Sequence, residues 1–526
     1  MAVWPHQGKE PPLKLNFSKE LALHRKLKMN ALVGDGSYSG IVPYENKRRG
    51  TWKNFVILCL STFLSFVAVF PSRNLQTSIH SSYRMGTISL CALYGFYIIG
   101  CLTSNICIQH FRAKCLLLVA LIFHVLYSVS NVIPSMYTLI PASCLLGLCQ
   151  PLFWSIQEIT LLGYALNYSA FSNINLDSSL RLFQTLIVIT VHSAQILGNL
   201  LSSGLLSLSD VDCADIWSNG YTNGTELQEV GAFAKSERWT YTLPLIPVLT
   251  RKLSDHPGPI NYYQFLTVLY LCLGVVAMGG VLIFFESPDI LLKRRSGTWK
   301  EKITEVKDTV CDAKAFLAGF AAIFTGYIQG VIIADILKQY GTDVFGCFIV
   351  GYMMMCFGTG NLASILAFDK LKQYGLSAIS LSAGFILNTS ILITAFVWRP
   401  TSSQSTALLI YLALWGAGDG IIQSQLQLAI PKYIPKLKET ALIALRVCNG
   451  IGLELSFIVS LTLNNLMTSL YIAMALHLIG FLGLVLVACD SHGRDEEASS
   501  EPEHLETAVP ITQDPPDITQ STESLA

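Results

Sequence analysis

Leu414-Trp-Gly-Ala-Gly-Asp-Gly-Ile-Ile-Gln-Ser-Gln425 stands in the middle of an apolar run, residues 406–430, that is long enough to cross a bilayer. Gly416 and Gly420 are one helical turn apart, so they share a face on which a neighbouring helix can come close. Asp419, Gln423 and Gln425 place a carboxylate and two amides at membrane depth. Inserting a group such as Asp419 at a helix centre costs about 2.5–3.5 kcal/mol on translocon scales, so it is expected to face other helices or a wet cavity. An echo lies 269 residues earlier, in Leu145-Leu-Gly-Leu-Cys-Gln-Pro-Leu-Phe-Trp-Ser-Ile-Gln157. Aligning Gly147 with Gly416 also aligns Gln150 with Asp419 and Ser155 with Ser424. Two similar helix bundles in tandem are the expected cause.

Composition agrees with a membrane protein: 52% of residues are hydrophobic and 13% charged, against about 25% charged in soluble domains. The formal net charge is zero, which gives no reason to expect a nucleic-acid partner. Twelve apolar runs follow at roughly 54–72, 85–108, 114–133, 137–165, 181–208, 263–286, 314–339, 343–368, 375–397, 405–430, 440–465 and 467–489. The fold class expected is an all-α membrane protein of about twelve spans in two pseudo-symmetric six-helix bundles.

The division of the chain follows from those runs. Residues 1–53 read as a basic cytosolic leader, either a surface-bound amphipathic helix built on Leu13, Phe17 and Leu21 or a disordered positive tail. With no cleavable signal in front of it, the first span is expected to be an uncleaved anchor. Residues 54–286 form the first bundle, with an outer loop at 209–262. Residues 287–313 are a basic cytosolic linker, 314–489 the second bundle, and 490–526 a disordered acidic tail. Lysine and arginine concentrate on one side of this arrangement (Lys47, Arg48, Arg49, Arg112, Lys114, Lys293, Arg294, Arg295, Lys370, Lys372, Lys432, Lys436). The other side's short turns carry only Arg73, Arg84, Lys338 and Arg399. That bias puts both termini in the cytoplasm. The sequon at Asn223 falls in the outer loop and is the glycosylation site expected; it implies the secretory route, with the plasma membrane as the default destination and an endosomal membrane as the alternative.

Most of the fourteen cysteines lie in or beside apolar spans. The outer loop holds only Cys213, for which a free thiol, a bond to Cys347 and a bond to a partner chain all stand open. No hydrolase, kinase, phosphate-loop or metal-ligand spacing is present, so no enzyme activity and no cofactor is expected. The available chemistry is polar groups inside helices: Glu158; His192, Gln195 and Asn199 in one stripe; Gln329 and Asp335; Asn361; Asn388; Asp419 and Gln423; Arg446, Asn449 and Glu454. Gly326 and Gly330 repeat the packing pattern of Gly416 and Gly420 on the seventh span. Two readings stand beside each other for these groups. One is a solute or ion site between the bundles; the other is hydrogen-bonded glue between helices. Asp419 and Arg446, on consecutive helices, are expected to form a buried ion pair, unless Arg446 extends to the inner interface.

The stretch Tyr137–Ala165 resembles the fourth-span signature of the uncoordinated-93 family, and Leu414–Gln425 its tenth-span motif. Gln195-Ile-Leu-Gly-Asn-Leu-Leu-Ser-Ser203 is similar to the fifth span, and Asn74-Leu-Gln-Thr-Ser78 to the first outer turn, with the A-type branch nearest. The resemblance covers roughly residues 54–489 and implies the major facilitator fold. It also implies a role beside another membrane protein, since one branch of the family regulates a two-pore potassium channel and another escorts Toll-like receptors. Asp369-Lys-Leu-Lys-Gln-Tyr-Gly375, with Asp369, Lys370, Lys372 and Gly375, is similar to the facilitator gating motif. Its first-half counterpart, Gln109–Lys114, lacks the acidic residue, which argues against a standard alternating-access gate. The expectation is therefore an accessory subunit in contact with membrane lipid and a partner such as a potassium channel. A proton- or sodium-coupled transporter of a small organic solute is the alternative.

Overall fold

The computed structural model describes residues 44–80, 82–132, 134–172, 174–208, 262–286, 304, 312–373, 377–433 and 438–500. Among them, twelve helices are long and apolar enough to cross a membrane. They are α1 (Tyr44–Ile79), α2 (Met85–His110), α3 (Ala113–Val132), α4 (Met136–Ser172), α5 (Leu176–Leu206) and α6 (Tyr262–Phe284), then α7 (Ala313–Val331), α8 (Phe348–Gln373), α9 (Ser377–Val397), α10 (Ser405–Tyr433), α11 (Lys438–Leu463) and α12 (Leu466–Ser500). The span of α7 continues past Val331 through a π-helical stretch, Ile332–Thr342, and a last turn, Asp343–Phe345.

The packing repeats itself with a shift of six helices. In the first bundle α1 packs on α5 and α6, α2 on α4, and α3 on α4 and α6. In the second, α7 packs on α11 and α12, α8 on α10, and α9 on α10 and α12. The two principal contacts between bundles, α5 on α8 and α2 on α11, exchange under the same shift. This is the two-bundle arrangement expected from the 269-residue echo. Gly147 and Gly416 sit at matching places, on α4 against Leu93 of α2 and on α10 against Phe357 of α8. At both, a Cβ would fall on the neighbouring helix's backbone carbonyl, so only glycine allows the approach.

The first span is longer than its apolar run. Pro71, Ser72 and Arg73 look like a turn in sequence, yet α1 runs through them to Ile79. Proline at 71 denies the Val67 carbonyl its helical partner, and that carbonyl faces Gly198 of α5, where no side chain intervenes. Arg73 and Asn74–Ser78 therefore lie inside a membrane helix rather than in an outer turn. Lys338, also read as a turn residue, lies in the π-helical stretch of the seventh span.

Calling the side where α1 begins and α12 ends the terminal face, the opposite or far face is tied shut between the bundles. Thr77 donates to the Ile333 carbonyl at 2.9 Å and Thr342 to Ser78 at 2.7 Å. Ser203 of α5 donates to the Phe348 carbonyl at 2.5 Å. Arg84, between α1 and α2, donates to the carbonyls of Leu461 and Ser460 at 2.9 and 2.6 Å, satisfying acceptors that the end of α11 leaves unpaired. His80 is buried beside these contacts, with the Tyr263 hydroxyl 3.3 Å from its Nε2. Burial pushes the His80 imidazole down to about 4.

Candidate functional site

Among the described residues, Asp419 is the centre of a polar cluster that joins four helices. Gly416 brings α10 onto α8, and the carboxylate three residues later is 2% exposed. Its Oδ2 accepts from Gln329 of α7 at 3.1 Å, from Asn361 of α8 at 2.9 Å and from Gln423, one turn along α10, at 2.7 Å. Three amide donors on one oxygen replace the solvation lost on insertion. Oδ1 has no hydrogen-bond partner among the described residues. The cluster then crosses to the other bundle: Asn361 Oδ1 lies 3.1 Å from Nε2 of His192 on α5, whose Nδ1 lies 2.9 Å from the Val188 carbonyl.

The expected Asp419–Arg446 pair does not form. Arg446 points instead into the space between bundles, where it pairs with Glu158 of α4 and donates to Ser155 at 2.9 Å. The reason is the helix pairing: α11 lies against α7 and α2 and only touches α10, so Arg446 and Asp419 leave their helices in different directions. The Glu158 side chain is 53% exposed and that of Arg446 19% exposed, so the pair lines a solvent-accessible part of the joint.

Two further carboxylates are placed apart from Asp419. Asp335, in the π-helical stretch, is buried and accepts from Ser460 of α11 at 2.8 Å and Ser469 of α12 at 3.2 Å. Glu454 of α11 accepts from the Cys91 thiol of α2 at 3.1 Å, which links the bundles at their second principal contact. Asn199 is fully buried and accepts from Asn74 of α1 at 2.9 Å, while its own amide donates to the Gln195 carbonyl. The Gln195 side chain fills the space left by Gly358 of α8. Gly326 and Gly330 lie under Asn449 and Ser456 of α11, and Gly420 under Asn361 and Ser364 of α8. In the gating-like motif Asp369 is half-buried and Lys370 exposed, both in the last turns of α8. The Lys372 side chain, Gly375, Asn223 and Cys213 lie outside the described residues, as do the leader before Tyr44 and most of the linker. Cys347 is disulfide-bonded.

Arg73 is the residue the sequence reading misplaced most. Buried in α1, it donates to Tyr94 of α2 at 3.2 Å and, at 3.5 Å, to Gln150 of α4, and lies over the Phe70 ring at 5.2 Å. The signal available was Leu75 and Ile79, both buried and one turn apart, which continue the helix beyond Pro71. His192 carried the opposite signal: it belonged to a recognised stripe, but nothing in sequence told which helix the stripe would meet.

Comparison with known proteins follows the same division into fold and function. No family model matches the chain. It is similar to UNC-93 homolog A of Bos taurus, 24% identical over 86% of this chain and 94% of that protein. The Homo sapiens protein of the same name is 24% identical over 83% and 92%. It is also 23% identical, over 72% of its length, to unc-93 of Caenorhabditis elegans, named as a candidate potassium channel regulatory protein, of which 52% is covered. Among solved structures it is similar to the nucleoside transporter NupG (TM-score 0.56, 10% identity, 83% of this chain and 98% of that one). The E. coli fucose:proton symporter FucP matches with a TM-score of 0.52 and 14% identity over 82% and 98%. The fold is thus that of the major facilitator superfamily, in a multi-pass membrane protein.

Proposed function

We propose that this chain is a non-enzymatic regulatory or accessory subunit of another integral membrane protein, and that a potassium channel is the partner class to test first. The observation that carries the reading is the likeness to UNC-93 proteins across both bundles, one of them named for potassium channel regulation. The outer face of α9 supports it physically. Ile379, Ala383, Ile386, Ser390, Ile393 and Val397 are exposed there at helical spacing, a small and β-branched surface on which a partner helix can pack closely. In this reading both termini are cytoplasmic, Asn223 carries a glycan, and the plasma membrane is the place of action. The experiment is proximity labelling in the native cell, followed by current and surface-level measurements on any channel found, with and without this chain. Unchanged current and unchanged surface level would remove the proposal.

A second reading, a secondary transporter of a small organic solute coupled to protons or sodium, is favoured by one observation. Asp419 is a buried carboxylate one residue away from the joint between bundles, where transporters of this fold keep their sites. It calls for solute uptake into proteoliposomes that Asp419→Asn abolishes at normal expression; no uptake across a broad solute panel counts against it.

A further inference from the structure

The His192–Asn361–Asp419 chain has too many acceptors for its protons, and the surplus can be counted. The Val188 carbonyl can only accept, so the His192 Nδ1 at 2.9 Å must carry hydrogen. In neutral His192, Nε2 is then a bare acceptor. Asn361 can turn only its NH₂ or its oxygen toward that nitrogen, and presents the other to Asp419 Oδ2 at 2.9 Å. With Asp419 ionised and His192 neutral, either orientation leaves two acceptors facing each other at about 3 Å, which is no hydrogen bond. Giving Nε2 the hydrogen instead strips Nδ1 and moves the conflict to the Val188 carbonyl.

One added proton removes the conflict in two ways. On His192, Nε2–H donates to Asn361 Oδ1 and the Asn361 NH₂ donates to the carboxylate. On Asp419, Oδ2–H donates to Asn361 Oδ1 after a half-turn of the amide, and the NH₂ donates to Nε2. The sum of charges over the two residues is zero in both, which suits a site at membrane depth. We infer that His192 and Asp419 form a single proton-binding site, bridged by Asn361 across the joint between α5 and α8. Loss of the proton releases that bridge.

The weakest member decides where it opens. Asn361 and Asp419 both belong to the second bundle, where Gly360 and Gly416 hold α8 tightly to α10 and Gln329 and Gln423 hold the carboxylate. His192 belongs to the first bundle and is half-buried, whereas Asn361 and Asp419 are buried, so it is the member that can withdraw when the bundles part. Of the other ionisable groups on the surrounding helices, Asp335 accepts from Ser460 and Ser469, while Arg181 lies in the first turns of α5 and Asp369 and Lys370 in the last turns of α8. Cys59 of α1 is a free, half-buried thiol, Arg446 of α11 pairs with Glu158, and Glu454 of α11 accepts from Cys91. His477 of α12 contacts Thr389 at 3.0 Å, and Tyr411 of α10 donates to the Ile391 carbonyl. The Tyr327 hydroxyl of α7 has no hydrogen-bond partner among the described residues, and Cys356 of α8 is a free thiol. Among the described residues none supplies a countercharge to Asp419.

The site goes beyond the accessory reading and holds whether or not a channel is the partner. The test uses the full-length chain in lipid nanodiscs, with genetically encoded spin labels at Leu182 of α5 and Leu371 of α8, exposed near the terminal ends of the two helices. Distances are read by pulsed electron resonance from pH 5 to 9. In the wild type a longer-distance population is expected to grow with pH, its ratio to the shorter one rising by up to about tenfold per pH unit, the slope for one linked proton. Asp419→Asn is expected to stay in the short-distance state at every pH: with Gln329 and Gln423 each turned to present an oxygen, its amide donates to Asn361 and needs no proton. His192→Phe is expected to show the long distance at every pH. A wild type without pH dependence overturns the inference, as does an Asp419→Asn protein that titrates like the wild type or stays separated. Should Asp419→Asn not fold, pH dependence that survives in His192→Phe overturns it alone.

Discussion

Replacing Gly416 by alanine tests the close helix contact on which the Asp419 cluster is built. The added Cβ would overlap the Phe357 carbonyl oxygen, lie 2.7 Å from its carbon and 3.0 Å from the Phe357 Cα. That obstacle is backbone, flanked by the fully buried Trp415 and the buried Phe357, so no side chain can rotate away. Overpacking of this kind costs about 1–3 kcal/mol. Alanine also favours a helix over glycine by about 0.8–1 kcal/mol, and that gain must be separated from the steric cost. Gly279→Ala on α6 does so, since nothing lies within 4 Å of its Cβ position. The propensity gain is common to both variants, so their difference isolates the steric cost. We expect Gly416→Ala to be less stable than Gly279→Ala by about 1–3 kcal/mol, roughly 5- to 160-fold in the unfolding equilibrium. Reversible denaturant unfolding of the two purified variants in one mild detergent measures it. If both move together relative to the wild type, α8 and α10 do not approach as closely as argued, and the placement of Asp419 against Asn361 loses its basis.

Arg446→Glu is expected to destabilise the protein and the double reversal with Glu158→Arg to recover part of the loss in thermal unfolding. The recovery is at most ~1 kcal/mol because Glu158 is half-exposed. Asp335→Asn trades a charged acceptor of two serine hydroxyls for an amide; a loss of about 1.5–3 kcal/mol is expected, read in the same assay. His80, neutral when folded, has its pKa lowered to about 4 from 6.5. The stability it supports is complete above the unfolded value and is lost as pH falls from about 6.5 toward 4, by about 3 kcal/mol in all. His80→Gln should flatten unfolding against pH in that window. If Cys213 is the partner of the disulfide-bonded Cys347, Cys213→Ser frees the Cys347 thiol, which is buried in the folded chain, for maleimide labelling after denaturation without reductant; unchanged labelling of Cys347 under those conditions excludes that pairing.

Much of the fold was legible because the bilayer imposes a length on apolar runs and a shelter on polar ones. The twelve runs and the Gly147–Gly416 echo both reappear as repeating helix contacts. What stayed hidden was lateral. Asp419, His192 and Arg446 were recognisable as costly residues, but helix spacing says which way a side chain leaves its own helix, not which helix it meets. Arg446 finds Glu158, 288 residues away, rather than Asp419 on the helix before it. Ends were hidden for a different reason. Pro71 and the charge at Arg73 are turn signals in water, whereas a membrane helix buried by its neighbours can carry both. Nothing in Ile332–Thr342 announces a π-helix either.

Matching places in the two bundles reveal what the repeat has kept. Gln150 of α4 and Asp419 of α10, aligned by the sequence echo, each meet a polar side chain from the first helix of their own bundle: Arg73 in one case, Gln329 in the other. The contact between first and fourth helices is therefore common to both halves, while its charge is not. In the first half the helix-one partner is the cation and the helix-four partner is neutral. In the second half helix four carries the anion and its helix-one partner is neutral. Each amide serves both sorts of neighbour, Gln150 accepting from a guanidinium and Gln329 donating to a carboxylate. A geometric scaffold repeated twice thus holds one positive and one negative buried group in separate bundles, and only the negative one is linked by a hydrogen-bond chain to the opposite bundle, through Asn361 and His192. A charge whose partners span the joint responds to movement of the bundles, whereas Arg73, with hydrogen-bond partners in its own bundle alone, serves packing there. Of the two, Asp419 is consequently the group whose ionisation, in the proton site inferred above, is expected to be felt at the contact between the bundles.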